Sequence, residues 1–195
     1  MKKIQLVSLS LLLFASYSCK EVKKESENAI DGIESKMEEI TEEEEVKVLR
    51  FSMEPKSDSN VTGDVTFTEE NGTVRMQATL TGLTPGEHAI HIHEKADCSA
   101  ADGTSTGGHW NPTFAQHGKW GDEAGYHRGD IGNLTADADG NATVDFSTDE
   151  WCLGCDDETK NIIGKAVIVH QGVDDFVTQP TGDAGGRVSC TGIIE

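Results

Sequence analysis

Residues 87–94, Glu87-His88-Ala89-Ile90-His91-Ile92-His93-Glu94, combine ligand chemistry with the periodicity of a strand. Side chains alternate across an extended chain, so Ala89, His91 and His93 share one face while His88, Ile90 and Ile92 share the other. Two imidazoles spaced this way can converge on one metal ion, and neutral imidazole suits copper or zinc. A His-x-His pair alone is weak evidence because it arises by chance. Downstream, however, stand His109, His117, His127, Asp130 and His170, so six of the seven histidines and one aspartate can be written as ligands. His88 lies on the face of Ile90 and Ile92 and reads instead as a buried, hydrogen-bonded core histidine.

The ligands fall into two groups. His109, His117, His127 and Asp130 supply three imidazoles and a carboxylate, a closed set typical of zinc with no open position. His91, His93 and His170 make a three-imidazole set of their own. His109 connects the two groups if its ring nitrogens bind different metals.

The elements that must position these residues read as short strands. Val74, Met76, Ala78 and Leu80 alternate with Arg75, Gln77 and Thr79, and Val61, Gly63, Val65 and Phe67 alternate with Thr62, Asp64 and Thr66. Each run has one apolar and one polar face. Asn71-Gly72, Thr84-Pro85-Gly86 and Asp139-Gly140-Asn141 are turn signals, and Asp139-Gly140 is expected to close a tight hairpin. No helical period of useful length follows Val46. Short strands with regular turns indicate an antiparallel sandwich or barrel. Two long segments, 95–128 and 171–186, interrupt that rhythm and carry or flank the ligands, which favours function for both. Four Asn-x-Thr sequons, at Asn60, Asn71, Asn133 and Asn141, are read as chance.

With 195 residues, 16 basic and 35 acidic, the chain has a formal charge of -19. That charge repels nucleic acid and anionic membrane surfaces, so neither is an expected partner. Residues 1–18 read as a signal peptide: Lys2 and Lys3 precede an apolar run too short to span a bilayer comfortably. The run ends at Cys19, which resembles the acylated first residue of a bacterial lipoprotein, although Ser16 stands where leucine is commonest. Ordinary cleavage near Ser18 would leave Cys19 a free thiol. Residues 19–45 are rich in Glu and Lys and read as a solvated acidic tether, and residues 46–195 as the folded domain. The expected address is the cell envelope, as an exported outer-membrane lipoprotein facing the periplasm or the cell surface, with the N-terminal lipid as its membrane contact.

The motifs His88-Ala89-Ile90-His91-Ile92-His93-Glu94, Gly108-His109-Trp110-Asn111-Pro112, His117, His127-Arg128-Gly129-Asp130-Ile131-Gly132-Asn133, Val169-His170 and 182–190 together resemble the copper/zinc superoxide dismutases. The resemblance runs from about Val46 to Glu195. It implies an all-β, antiparallel Greek-key sandwich or barrel, immunoglobulin-like, of about eight strands with two long functional loops. It further implies one copper ion on His91, His93, His109 and His170, and one zinc ion on His109, His117, His127 and Asp130. Asp174 would link His91 to His117 from outside the ligand set, with Asp175 an ordinary surface acid. Arg187 would attract the anion and His109 would carry a proton. The implied reaction is disproportionation of superoxide to oxygen and hydrogen peroxide by copper cycling between Cu(II) and Cu(I). Self-association as a homodimer is compatible with the resemblance, though no face is singled out.

Cys98 and Cys190 match the family's intrachain disulfide. Cys152 and Cys155 lie outside the family pattern; a short-range disulfide is the preferred reading, and a redox or metal-binding Cys-x-x-Cys the other. Pro180 stands where animal members carry a steering lysine, which leaves Lys119 and Arg128 as helpers or as plain surface charges. Two rival functions remain at this stage. One is a non-catalytic copper or zinc store on the envelope. The other is a zinc hydrolase of the His-x-His-x-Asp-His kind, against which stand Lys95 and Ala96 at the positions needing Asp and His.

Overall fold

A computed structural model describes residues 46–195. The readings of a signal peptide, lipidated Cys19 and tether fall outside the described residues. Eight strands form the domain: β1 Lys47–Pro55, β2 Thr62–Glu70, β3 Thr73–Thr81, β4 Gly86–His93, β5 Gly132–Ala136, β6 Ala142–Thr148, β7 Ala166–His170 and β8 Arg187–Gly192. Every pairing is antiparallel, in the order β5-β4-β7-β8-β1-β2-β3-β6. The sheet curls until β5 and β6 approach each other, giving a nearly closed Greek-key barrel.

Alternation of side chains builds the core. Val74, Met76, Ala78 and Leu80 on β3 and Val65 and Phe67 on β2 are buried, and they pack with Ile90, Ile92, Val167, Val169, Trp151 and Ile193. Asn71 and Gly72 close β2 onto β3 in a two-residue hairpin, both with positive φ, and Glu70 pairs with Thr73. The 137–141 turn behaves differently. Gly140 has φ 80°, and the turn is closed by Asp137 N–H to Asn141 O, but β5 pairs with β4 and β6 with β3. The expected hairpin is therefore a crossover between the two ends of the sheet. A local turn signal fixes a reversal of direction, not the partner of the strands it joins.

β4 is buried on both faces from His88 to His93. Its isoleucines enter the core. Its outer face is covered by the irregular segments 94–131 and 171–186, so the histidines there are as inaccessible as the isoleucines. A third irregular stretch, 149–165, connects β6 to β7. Two disulfides are present: Cys98–Cys190, which ties segment 94–131 to β8, and Cys152–Cys155 within the third stretch.

Candidate metal centre

The first ligand group is built on paired strands. His91 faces Ile168 and His93 faces Ala166 across the β4–β7 ladder, and His170 ends β7 where the register with β8 shifts. The second group is attached to β4 by backbone hydrogen bonds outside the sheet. Glu94 N–H donates to Gly108 O, Trp110 N–H to Ile92 O, and Ile92 N–H to Gly129 O. Residues 108–110 thus lie along β4 and present His109 beside His91, with ring centroids 3.9 Å apart. Gly129 must approach closely: a Cβ there would stand 2.2 Å from Ile92 O.

Ligand atoms of His91, His93, His109 and His170 all lie within 4.8 Å of one another, as do those of His109, His117, His127 and Asp130. All seven side chains are buried. The outer ring nitrogens settle which inner ones carry lone pairs. His93 Nδ1 donates to Gly107 O at 3.0 Å and His170 Nδ1 to Gly185 O at 3.3 Å, because a carbonyl can only accept. His91 Nε2 and His117 Nε2 donate to the two oxygens of Asp174 at 2.9 and 2.8 Å. In the neutral rings this leaves lone pairs on His91 Nδ1, His93 Nε2, His170 Nε2 and His117 Nδ1.

Those lone pairs point at one another. His93 Nε2 is 3.3 Å from His170 Nε2, and His117 Nδ1 is 3.0 Å from Asp130 Oδ2. Buried His91 Nδ1, His109 Nε2, His117 Nδ1 and His127 Nδ1 have no hydrogen-bond partner among the described residues; the close approaches of His117 and His127 to Asp130 are not aligned as hydrogen bonds. Facing acceptors in a dry interior need a proton or a cation between them. The donor sets fit the two metals of the expectation: four imidazoles for copper, three imidazoles and a carboxylate for zinc. His109 directs Nε2 toward the first group and Nδ1 toward Asp130 Oδ1, 2.8 Å away.

Proton affinities follow the same geometry. Burial lowers His109 to about 4 despite its bond to Asp130, and lowers His170 to about 3, with neighbouring imidazoles adding to the effect. Burial, with His109 and His170 beside it, likewise depresses His93. Burial opposes charge on His117 too, but there the carboxylates of Asp130, 3.0 Å away, and of Asp174, hydrogen-bonded to its Nε2, prevail and raise it to about 9. Burial works against both carboxylates, yet the surrounding imidazoles hold Asp130 and Asp174 well below the usual range. Without metal, His117 keeps a proton where His93, His109 and His170 reject one.

Arg187 opens β8 at the edge of the first group. Its guanidinium donates to Gly103 O at 2.6 Å, Thr106 Oγ1 at 2.8 Å and Gly107 O at 2.7 Å. Burial lowers its proton affinity and Asp102 partly restores it; it remains a cation. Of the other cations considered, Arg128 pairs with Glu150 and is not a free steering charge. His88 is buried and donates through Nδ1 to His170 O at 2.9 Å, with Thr84 at its other nitrogen.

Three supporting residues went unassigned in the sequence. Asn133 accepts from Asp174 N–H and donates to Asp174 O, fixing the acid's backbone. Gln179 does the same to His117: it accepts from the His117 N–H at 2.9 Å and donates to its carbonyl at 2.8 Å. Gly182, at φ 66°, leaves room for Asp174, since a Cβ there would stand 1.9 Å from Oδ1. The Asn133 sequon read as chance conceals a structural residue.

Residues 61–194 match the family model for copper/zinc superoxide dismutase. The chain belongs to the copper/zinc superoxide dismutase family. Similar solved structures agree on this superoxide dismutase fold. One is the crystal structure of a double mutant of a SOD-like protein from Bacillus subtilis, 30% identical, with TM-score 0.67, covering 75% of this chain and 97% of that one. Another is the clock protein EA4, 36% identical, with TM-score 0.64, covering 75% of this chain and 94% of that one.

Proposed function

We propose that the protein disproportionates superoxide, converting two superoxide anions and two protons into oxygen and hydrogen peroxide. The observation that carries this reading is the convergence of two buried donor sets on a single histidine, with Arg187 beside the four-imidazole set. Copper held by His91, His93, His109 and His170 would supply one-electron exchange, and zinc held by His109, His117, His127 and Asp130 a fixed charge that cannot change oxidation state.

The chain's own residues do the rest. Arg187, pinned by three acceptors, presents a fixed cation to the arriving anion; unit charges about 5 Å apart at an effective dielectric near 20 attract by about 3 kcal/mol. Repulsion from the acidic surface acts over a longer path and is screened beyond about 8 Å at physiological salt. His109 Nε2 is a buried nitrogen with no hydrogen-bond partner among the described residues, so whenever it is not bound to metal it can hold a proton for the nascent peroxide. Asp174, bonded to both His91 and His117, orients a ring in each group. The apolar run of residues 1–18 and Cys19 support a place on the cell envelope, anchored by lipid.

Family membership alone does not carry the activity, since similar structures bear the names SOD-like protein and clock protein. Metal analysis of the full chain, paired with superoxide consumption before and after chelation, tests the reading. One copper and one zinc per chain, with activity that follows copper, is expected. Both metals bound without faster superoxide loss would instead identify a metal-binding envelope protein.

A further inference from the structure

Segment 149–165 contributes no residue to either ligand group, yet it grips the chain on both sides of His127. The Tyr126 hydroxyl donates to Glu150, 3.0 and 2.9 Å from its two oxygens, and the Arg128 guanidinium pairs with the same carboxylate. The Trp151 indole N–H donates to Arg128 O at 2.8 Å. Both chain neighbours of His127 are therefore tied to two consecutive residues. Trp151 is itself anchored: it is 1% exposed and packs on Phe67, Phe146 and Trp120, and Trp120 packs in turn on Tyr126 with centroids 4.9 Å apart.

The residue after Trp151 begins the second disulfide. Cys152 and Cys155 close a turn of three residues' separation, and Cys152 exchanges backbone hydrogen bonds with Lys160 and Ile162. The bridge and these backbone bonds together hold the turn that directly follows Glu150 and Trp151. On its other side the 127–130 stretch is joined to β4 by the Ile92 N–H to Gly129 O bond, and it lies outside the strands among the described residues.

We propose that Glu150 is a positioning residue for His127, fastened by the Cys152–Cys155 bridge, so that the protein's grip on zinc depends on a disulfide outside both ligand groups. This rests on the reading that His109, His117, His127 and Asp130 hold zinc. Glu150 acts by restraining Tyr126 and Arg128, which sets where the His127 ring can reach. Among the described residues no hydrogen bond or ion pair joins the Glu150 carboxylate to the first ligand group, which keeps its copper.

The test uses the full-length, metal-loaded protein and reads zinc transfer to a chromophoric chelator, with the visible spectrum of Co2+ placed in the same group as a second readout. Glu150→Gln and the double variant Cys152→Ala/Cys155→Ala are each expected to release zinc about tenfold faster and to shift the cobalt bands, with the copper content unchanged. Tyr126→Phe, which removes one hydroxyl and leaves Arg128 paired, should release zinc about threefold faster. Zinc release at the wild-type rate and an unshifted cobalt spectrum in Glu150→Gln and Tyr126→Phe would overturn the proposal. A wild-type protein that takes up neither zinc nor cobalt in this group would overturn the zinc reading itself.

Discussion

The two ligand groups share a histidine but not a construction. His91, His93 and His170 project from paired strands, where backbone hydrogen bonds fix each Cα and alternation fixes each side chain's direction. His117, His127 and Asp130 stand in an irregular segment and are held by other side chains: Asp174, Gln179, and Glu150 through the neighbours of His127. The difference teaches that the first group is a property of the barrel and the second a property of loops that must find one another. Damage to segment 171–186 should therefore loosen the second group before the first.

The largest expected effect is loss of a strand-borne ligand. His170→Ala should abolish copper binding and lower kcat/KM for superoxide by at least about 1000-fold, or about 4 kcal/mol of barrier, while zinc uptake is retained. Joint loss of both metals would erase the proposed independence of the groups. Next comes Asp174→Ala, which removes a partner from one ring in each group. Its affinity for zinc should fall about 10- to 100-fold and that for copper by much less, because the β4–β7 ladder still places His91. Equal losses in a metal-competition titration would show that both groups lean on segment 171–186 alike.

The disulfides extend the contrast. Cys98–Cys190 spans 92 residues of sequence and Cys152–Cys155 only three. Loop-closure entropy assigns them about 4.6 and about 2 kcal/mol of global stability respectively. Denaturant unfolding of the two double-alanine variants should therefore rank them in that order, whereas zinc release should be faster for the shorter bridge's loss. Both bridges are present as paired from the sequence, but only the structure shows what each one fastens.

Acid should separate the groups in metal-free protein. His109 at about 4 and His170 at about 3 lie below their unfolded value near 6.5, so the unfolded chain binds more protons and stability falls as pH drops through that window. Asp130 and Asp174, depressed in the fold, add a loss at still lower pH. His117, raised to about 9, contributes stability that is complete below about 6.5 and is lost as pH rises through 9. Urea unfolding of metal-free protein should thus show a maximum between these limits. A stability that rises from pH 6.5 down to 4 would contradict the burial of neutral His109 and His170.

What was legible in the sequence follows the same division. The β4 alternation announced His91 and His93, and the β2 and β3 patterns announced a half-buried sheet, because strand geometry is local and has a period. Burial of the outer β4 face was not legible, since the segments that cover it come from elsewhere in the chain. The 137–141 turn was visible, but its strands' partners are set by pairing across the barrel. Gln179 and Glu150 left no local signal, and Asn133, though inside a family motif, none for its role: each is a polar residue whose role arises from contacts 62, 24 and 41 residues distant respectively. The motifs carried the family; the supports for its second ligand group had to be seen in three dimensions.

The shared ring of His109 is the centre of the account, and copper paramagnetic resonance before and after selective withdrawal of zinc tests it most directly. The spectrum should change when zinc leaves the wild-type protein and should not respond to zinc in His109→Ala. A copper signal indifferent to zinc in the wild-type protein would contradict a histidine that binds both ions.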